Sequence, residues 1–434
     1  MLELRFIREN TDAVRQNLQK RANPEVLTRL DALLAADKQY RAALSQVEAV
    51  RKRRNTISKE INDAKKASKD AAALLQEAKE LPDQVAQADA VSQEKLAIVN
   101  RLLSGIPNLL HDSVPTAKDE SGNVTVREWG GREVPDFGVQ SHVDLIEKLG
   151  VADIERAAKT SGARFYFLKN ELVLLDLALQ RFALDLLYRK GFQTVYPPFM
   201  MRRGPYEGVT DLKDFEDVMY KIEGEDLYLI ATSEHPMAAM HMDEVFAEEN
   251  LPMKYAGVSA CFRKEAGAHG KDTKGIFRVH QFSKVEQFVF CKPEDSWTIH
   301  EELLGNAEDV FQKLEIPYRV VNICTGDIGT VAAKKYDIEA WMPAQGTYRE
   351  VVSCSNCTAY QAVGLNVKYG KYGGAKEYVH TLNSTAIANP RAIVAILENF
   401  QQPDGSVKIP KALHDYLPFK EIVAKKPKSG EKKK

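Results

Sequence analysis

Between Asn23 and Ser104 the chain carries no glycine, is rich in Ala, Lys, Glu, Gln and Leu, and repeats apolar residues at three- and four-residue steps. Only long helix suits that pattern. One stripe runs Leu30, Leu33, Tyr40, Leu44, Val47, Val50, Ile57, Ile61, and a second runs Leu74, Ala78, Leu81, Val85, Ala88, Val99, Leu102. Each stripe is narrow, so each helix needs a partner to cover it. A polar break around Lys65 to Lys69 separates the two. The chain is therefore expected to turn there and pack on itself as an antiparallel coiled-coil hairpin. At about 1.5 Å per residue, roughly forty residues give an arm of roughly 60 Å. Pro82 removes one backbone hydrogen bond and crowds the carbonyl near Ala78, which predicts a kink.

From Gly105 the texture changes to proline, glycine, tryptophan and mixed periodicity, opening with the connector GIPNLLHDSVPTAKDESGN. Helix-like runs (Leu172 to Lys190, Glu294 to Leu314, Arg391 to Phe400) interleave with strand-like ones (Tyr255 to Glu265, Phe277 to Phe290, Arg319 to Val321). That mixture argues for an α+β or α/β domain. The expected organisation is a helical arm over 1–104, a second domain over 105–424 and a disordered basic tail over 425–434.

Charge excludes little, because 60 Lys and Arg nearly cancel 61 Asp and Glu. A polyanion-binding surface must come from local clustering. Such a cluster exists near the expected hairpin turn, where Arg51, Lys52, Arg53, Arg54, Lys59, Lys65, Lys66 and Lys69 are opposed in sequence only by Glu60 and Asp63. Phosphate contact is the natural reading of that density, a solvated helix tip the bland one. No stretch approaches the roughly 18 uncharged apolar residues that span a bilayer, so no membrane role is expected. The N-terminus MLELRFIREN lacks a secretory or transit pattern, and five scattered cysteines point to reduced thiols and a cytoplasmic setting.

In GVSACFRKEAGAHGKDTKGIFRVHQFSKVEQFVF, two alternating runs flank the polar, glycine-bearing segment Ala266 to Gly275, as in an antiparallel hairpin with a long loop. Period-two geometry puts Arg263 and Glu265 on one face of the first strand, and Arg278, Phe282 and Glu286 on one face of the second. Guanidinium groups suit phosphate oxygens, an aromatic plane suits a base, and carboxylates suit ammonium or amino groups. A nucleotide plus an amino acid would satisfy all three.

The same residues resemble motif 2 of class II aminoacyl-tRNA synthetases, and the KVEQF that follows is similar to the seryl branch. The resemblance implies an antiparallel-sheet catalytic domain of α+β class carrying the helical arm. It also implies roles: Arg263 on the α-phosphate and the serine carboxylate, Glu265 on the adenine amino group, Arg278 on the γ-phosphate, Phe282 against adenine, Glu286 toward serine. Lys264 and Val279 join the ATP site on the same likeness.

Three other segments extend it. Leu382 to Arg391 (LNSTAIANPR) resembles motif 3, with Pro390 in a first helical turn, Asn389 as a plausible cap and Arg391 near a positive helix end. Arg391 would meet the γ-phosphate, with Asn383 and Thr385 in the serine pocket. Lys190 to Met200 is similar to motif 1, which implies a homodimer. Thr232, Ser233 and Glu234 resemble the Thr-x-Glu signature of serine recognition.

Glu350 and Ser353, in EVVSCSNC, would reach the magnesium ion that accompanies ATP, and they can share a strand face only if a bulge intervenes. Cys354 and Cys357 lack a second ligand pair at zinc spacing, so no zinc is expected. After CSNCT the family usually continues with an aspartate, an aromatic, Gln, a small residue and one or two arginines. Here the chain reads Ala359-Tyr360-Gln361-Ala362-Val363-Gly364, so a carboxylate and its arginines are absent together from the expected strand beside the pocket.

The activity so implied is serine–tRNA ligation through seryl-adenylate, on tRNA(Ser) and, within this family, tRNA(Sec), with the basic arm gripping the long variable arm of the tRNA. Two alternatives stay open at this level. One is a non-catalytic synthetase-like protein that binds tRNA or regulates, and the other is an amino-acid ligase acting on a carrier protein.

Overall fold

The computed structural model describes residues 1–132, 134–210, 218–265 and 274–424. The basic tail from residue 425, and residues 266–273 of the expected loop, lie outside the described residues. Two compact units follow one another, Leu2–Pro107 and the chain from Asn108 onward.

The first unit is all helix: α1 (Leu4–Glu9), α2 (Thr11–Gln19), α3 (Pro24–Lys66) and α4 (Ala72–Ser104). Helix α3 has 43 residues and is about 64 Å long. It starts where Asn23 caps the Glu25 amide and Pro24 supplies a ready-made φ at the first helical position. It stops at Ser68, which takes a left-handed φ of 52°, and Asp70 then accepts from the Ala72 amide to open α4. The turn lies where the polar break placed it. Near that turn Ile57, Ile61 and Leu81 are buried together, flanked by Val50, Leu74 and Ala78. Two stripe positions differ from the expectation: Leu44 faces solvent, and Leu103 rather than Leu102 is buried. Helix α4 runs unbroken through Pro82, because the seam on either side holds the chain helical despite the missing bond.

The second unit is built on one eight-stranded sheet. Its strands in chain order are β1 (Val124–Trp129), β2 (Gln193–Val195), β3 (Met253–Phe262), β4 (Gln281–Cys291), β5 (Tyr318–Asn322), β6 (Lys334–Met342), β7 (Thr347–Asn356) and β8 (His380–Ala388). The spatial order is β1-β5-β6-β7-β8-β4-β3-β2, antiparallel throughout except for the edge pair β2 and β3. The class is thus α+β with an antiparallel sheet, as expected.

Helices α5 (His142–Leu149), α6 (Glu171–Arg189), α7 (Glu234–Ala239), α8 (Ser296–Lys313), α9 (Tyr360–Leu365) and α10 (Asn389–Asn399) complete the elements that position the site. The core lies between one sheet face and helices α6, α8 and α10, where Leu179, Phe311 and Ile396 meet Val285, Val289 and Ile338.

Alternation along β4 assigns its two faces. Val285, Val289 and Cys291 enter that core. Phe282, Lys284 and Glu286 project from the opposite side, where Phe288 and Phe290 continue into a second apolar cluster with Tyr255, Met237 and Val379.

Two sequence expectations fail here for local reasons. The strands of the hairpin are shorter than the alternation implied, ending at Phe262 and resuming at Gln281, so Arg263, Glu265 and Arg278 lie off the ladder. The segment from Ala359, expected as a strand, turns into the short helix α9.

Candidate active site

A cavity of about 340 Å³ opens on the sheet face opposite the one that α6 and α8 cover. Phe282, Lys284 and Glu286 of β4 form its floor. Arg263, Glu265 and Arg278 reach it from the flanks of the hairpin, although regular alternation no longer places them. What brings them in is the irregular backbone. Glu265 takes a left-handed φ of 49°, a conformation that costs a non-glycine residue about 1–3 kcal/mol and clusters at functional sites. Gly275 has φ 81° and packs so tightly on His142 that a Cβ would lie 2.1 Å from its Nε2. Across the gap Arg278 Nη1 donates to Glu265 Oε2 at 2.7 Å. The Arg263 guanidinium sits 5.4 Å from the centre of the Phe282 ring, and its Nε donates to the Ala231 carbonyl at 3.3 Å.

The next wall comes from two bulged strands. Opposite β6, Val352 pairs with Ile338 and Glu350 with Glu339, which leaves Val351 as the extra residue. The bulge required for Glu350 and Ser353 to share a side is present, and both line the cavity. In β8, Ala386 is extra between Thr385, opposite Glu286, and Ile387, opposite Val285. Asn383 and Thr385 line the cavity, with Ala388 and Pro390 beyond the bulge.

Arg391 follows in the first turn of α10 and donates from Nη1 to the Glu350 carbonyl at 3.0 Å, with the Glu350 carboxylate 3.2 Å away. Phe277 lies beneath the Arg391 guanidinium, 5.2 Å from ring centre to charge. Asn389 is not the cap of that helix. Its side chain donates instead to the Asp176 carbonyl at 2.7 Å and carboxylate at 2.9 Å, tying α10 to α6.

Thr232 and Glu234 line the cavity at the start of α7, but Ser233 does not. The buried Ser233 hydroxyl donates to the Gly257 carbonyl at 3.3 Å, where the missing side chain lets α7 sit close on β3. Lys264 is exposed and outside the cavity, whereas Val279 lines it.

Lys284 is the principal residue that the sequence reading passed over. It forms a buried ion pair with Glu286 and donates to the Thr232 hydroxyl at 2.6 Å, while Thr385 donates to Glu286 at 3.1 Å. The signal was available, since Lys284 has the same strand parity as Phe282 and Glu286. Lys335 also enters the cavity, from β6, and no local pattern marks it.

The electrostatics separate the carboxylates. Burial, and then the neighbouring Glu286, push Glu234 up to about 7 against the opposing pull of Lys284, Gln361 and Arg263. Desolvation would raise Glu350 as well, but Arg391, Lys335 and Arg263 outweigh it and hold that carboxyl below the usual range. One side of the cavity is therefore cationic around an ionised Glu350, and the other pairs two acids with one lysine. Among the described residues no group of three or more His, Cys, Asp or Glu side chains is placed to hold a metal, and Cys354 and Cys357 are buried free thiols.

On the helical arm the basic cluster is less naked than its sequence. Helix α4 brings Asp89 to Arg51, with two contacts of 2.9 Å, and Glu77 to Arg53, which also pairs with Glu60. Lys52, Arg54, Lys59, Lys65, Lys66 and Lys69 are exposed.

Comparison with known proteins fits both halves. Residues 218–400 match the tRNA synthetase class II core domain (G, H, P, S and T), and residues 1–110 match the seryl-tRNA synthetase N-terminal domain. A serine–tRNA ligase of Methanocella arvoryzae is 61% identical over 96% of this chain and 99% of its own length. One from Thermococcus sibiricus is 52% identical over 98% of each. The crystal structure of seryl-tRNA synthetase from Pyrococcus horikoshii complexed with ATP superposes with a TM-score of 0.93 at 52% identity, covering 98% of this chain and all of that one. The cytoplasmic serine–tRNA ligase of Naegleria fowleri in complex with AMP gives 0.84 at 39% identity, covering 96% of both chains. With both domain types matched and relatives aligned over almost the full length, the chain belongs to the seryl-tRNA synthetase family.

Proposed function

We propose that the cavity holds ATP and serine side by side, and that this serine–tRNA ligase makes seryl-adenylate there before charging its tRNA. A serine carboxylate oxygen attacks the α-phosphorus, the bond to the bridging oxygen breaks, and pyrophosphate leaves. A hydroxyl of the terminal adenosine of the tRNA then attacks the acyl carbon and AMP departs. The observation that carries this reading is the division of charge across one cavity. Arg278 and Arg391 stand on one side, paired with Glu265 and Glu350, and Glu234 and Glu286 with the hydroxyls of Thr232 and Thr385 stand on the other.

Arg263, between the two groups, orients the α-phosphate and the serine carboxylate, and Phe282 offers its plane to adenine. Arg278 and Arg391 neutralise the outer phosphates. The side chains hold the reactants in line and stabilise developing charge, and no protein base is required. On the serine side Glu286, Glu234, Thr232, Asn383 and Thr385 provide acceptors and donors for the ammonium and the hydroxyl. A pocket built to hydrogen-bond a hydroxyl rejects the analogue without it by roughly 10⁴-fold, because its own polar groups are left unpaired.

Glu350, kept ionised, and Ser353, brought beside it by the bulge, are hard oxygen donors that would hold a magnesium ion accompanying ATP. When bound, that ion supplies charge neutralisation of the leaving pyrophosphate.

The exposed lysines and Arg54 at the arm tip suit the phosphates of a tRNA variable arm, a contact that reads shape rather than bases. We read a homodimer from exposed apolar side chains beside the sheet edge. Edge strand β2 continues into Tyr196, 74% exposed, and Leu177, 56% exposed, lies with Val173 and Leu174 on an apolar outer stripe of α6. No described helix is long and apolar enough to cross a membrane, and action beside cytoplasmic tRNA is the setting we assign.

Three measurements test these roles. Pyrophosphate exchange should depend on serine, with alanine and glycine inactive and threonine poor; no exchange with ATP, magnesium and serine present would favour the non-catalytic reading, and aminoacylation of a carrier protein but not of tRNA would favour the third. Replacing Lys52, Arg54, Lys65 and Lys66 by glutamate should raise the KM for tRNA about tenfold or more and flatten its salt dependence, with exchange unchanged; equal loss of both activities would remove the arm from tRNA binding. Sedimentation should give about twice the 48.7 kDa chain mass, and Leu177→Glu should shift it toward monomer; a monomer at tens of micromolar in the unaltered chain would refute the interface.

A further inference from the structure

Helix α9 departs from the family pattern in what it lacks, yet it keeps one buried polar side chain that reaches the cavity wall. Gln361 is fully buried. Its Nε2 donates to Glu234 Oε1 at 2.8 Å and to the Val209 carbonyl at 3.3 Å. Its Oε1 accepts from the Thr381 hydroxyl at 2.7 Å. The Val209 backbone carbonyl can only accept, so the amide has one orientation here, with nitrogen toward Val209 and Glu234 and oxygen toward Thr381.

The helix is held in that place by its own glycine. A Cβ at Gly364 would lie 2.5 Å from the Gly208 carbonyl oxygen, and one at Gly208 would lie 2.6 Å from Leu365 Cδ2. Backbone therefore meets backbone at this point, and the contact sets α9 directly against the residue before Val209. The Ala359 to Gly364 segment carries no charge that this close docking would bury, and Gln361 is what the docking delivers.

Strand β8 makes the arrangement a pair. Thr381, Asn383 and Thr385 alternate along it, so the three side chains share one face. Thr385 donates directly to Glu286, while Thr381 reaches Glu234 through Gln361. Asn383 lies between them and lines the cavity. One strand face thus fixes both carboxylates.

We infer that Gln361 is a positioning residue for serine selection: it holds Glu234 by one oxygen, leaving the other for the substrate hydroxyl, and Thr381 holds Gln361. This rests on the reading of the cavity as a serine site. Gln361 donates to the carboxylate, and a hydrogen bond to the charged form favours it, so removing the donor makes Glu234 easier to protonate. Among the described residues the charged and titratable groups that face Glu234 are Glu286 and Lys284 of β4, Arg263 beyond β3, Tyr206 ahead of Val209, and Cys357 beyond β7, and none of them is altered by a change at Gln361. Glu234 already sits at about 7, so its ionised fraction falls as pH drops through neutrality, and loss of the donor moves that fall to higher pH.

The test uses the full chain in serine-dependent pyrophosphate exchange. Gln361→Met keeps the volume and removes the donor. It should raise the KM for serine about 10- to 100-fold, the range for a hydrogen bond to a charged group, with the KM for ATP and the saturated rate within about twofold. The acid limb of kcat/KM for serine should move to higher pH. Thr381→Val should shift both in the same direction by less, and Thr381→Ser should restore the original values. An unchanged serine KM or acid limb in Gln361→Met, or parallel losses for serine and ATP, would overturn the inference. If Gln361→Met does not fold, the Thr381 pair decides it by the same criteria. Absence of serine-dependent exchange in the unaltered chain would instead refute the serine site itself, so the two failures are distinct.

Discussion

The buried pair of Lys284 and Glu286 is the constraint on which the rest of the second unit turns. Both side chains are almost wholly out of water, at 6% and 2% exposure, and lie on one face of an interior strand. Removing one member of such a pair costs about 3–5 kcal/mol, because the other charge stays buried without a partner. Lys284 also donates to Thr232 and Glu286 accepts from Thr385, so the pair ties the start of α7 and strand β8 to β4. A one-residue slip of β4 would turn Val285 and Val289 out of the core and Lys284 and Glu286 into it. Fold and site are the same set of contacts seen from two faces of one sheet.

The backbone devices around that sheet have a common purpose. Bulges at Val351 and Ala386 bring pairs of side chains to the cavity that strict alternation would separate. The left-handed Glu265 and the close-packed Gly275 turn the hairpin flanks inward after the ladder has ended. Gly257 and Gly364 each admit a helix at close range, α7 side chains against β3 in one case and the α9 backbone against Gly208 in the other. Arginines predominate on one side of the cavity, around Glu265 and Glu350, and two acids sharing one lysine occupy the other, which is the polarity a nucleotide and an amino acid require when they must react with each other.

Much of this was legible from sequence because it is periodic or local. The arm showed in its apolar stripes and polar break, and the antiparallel pair β3 and β4 showed in its alternation. Glu350 and Ser353 could even be assigned a bulge in advance. What escaped is nonlocal. Nothing near Lys335 in sequence marks it, and Gln361 showed only as a retained position in a family pattern, since what each touches comes from strands and loops that meet only after folding. Asn389 looked like a cap because its neighbours did, and the competing partner Asp176 lies in another helix. The arm charges looked unopposed because Glu77 and Asp89 sit on the returning helix. Arg263, Glu265 and Arg278 were grouped correctly for an incomplete reason: loop geometry, rather than strand parity, brings them together.

The most direct measurement is the structure of this chain with a non-hydrolysable seryl-adenylate analogue. The account predicts the adenine on the Phe282 ring, the phosphate-mimicking linker beside Arg263, the serine ammonium at Glu286 and the hydroxyl against Glu234, with the Lys284–Glu286 ladder register unchanged. An analogue bound with its base away from Phe282, or with its serine end outside the face shared by Glu286, Thr385 and Asn383, would contradict it.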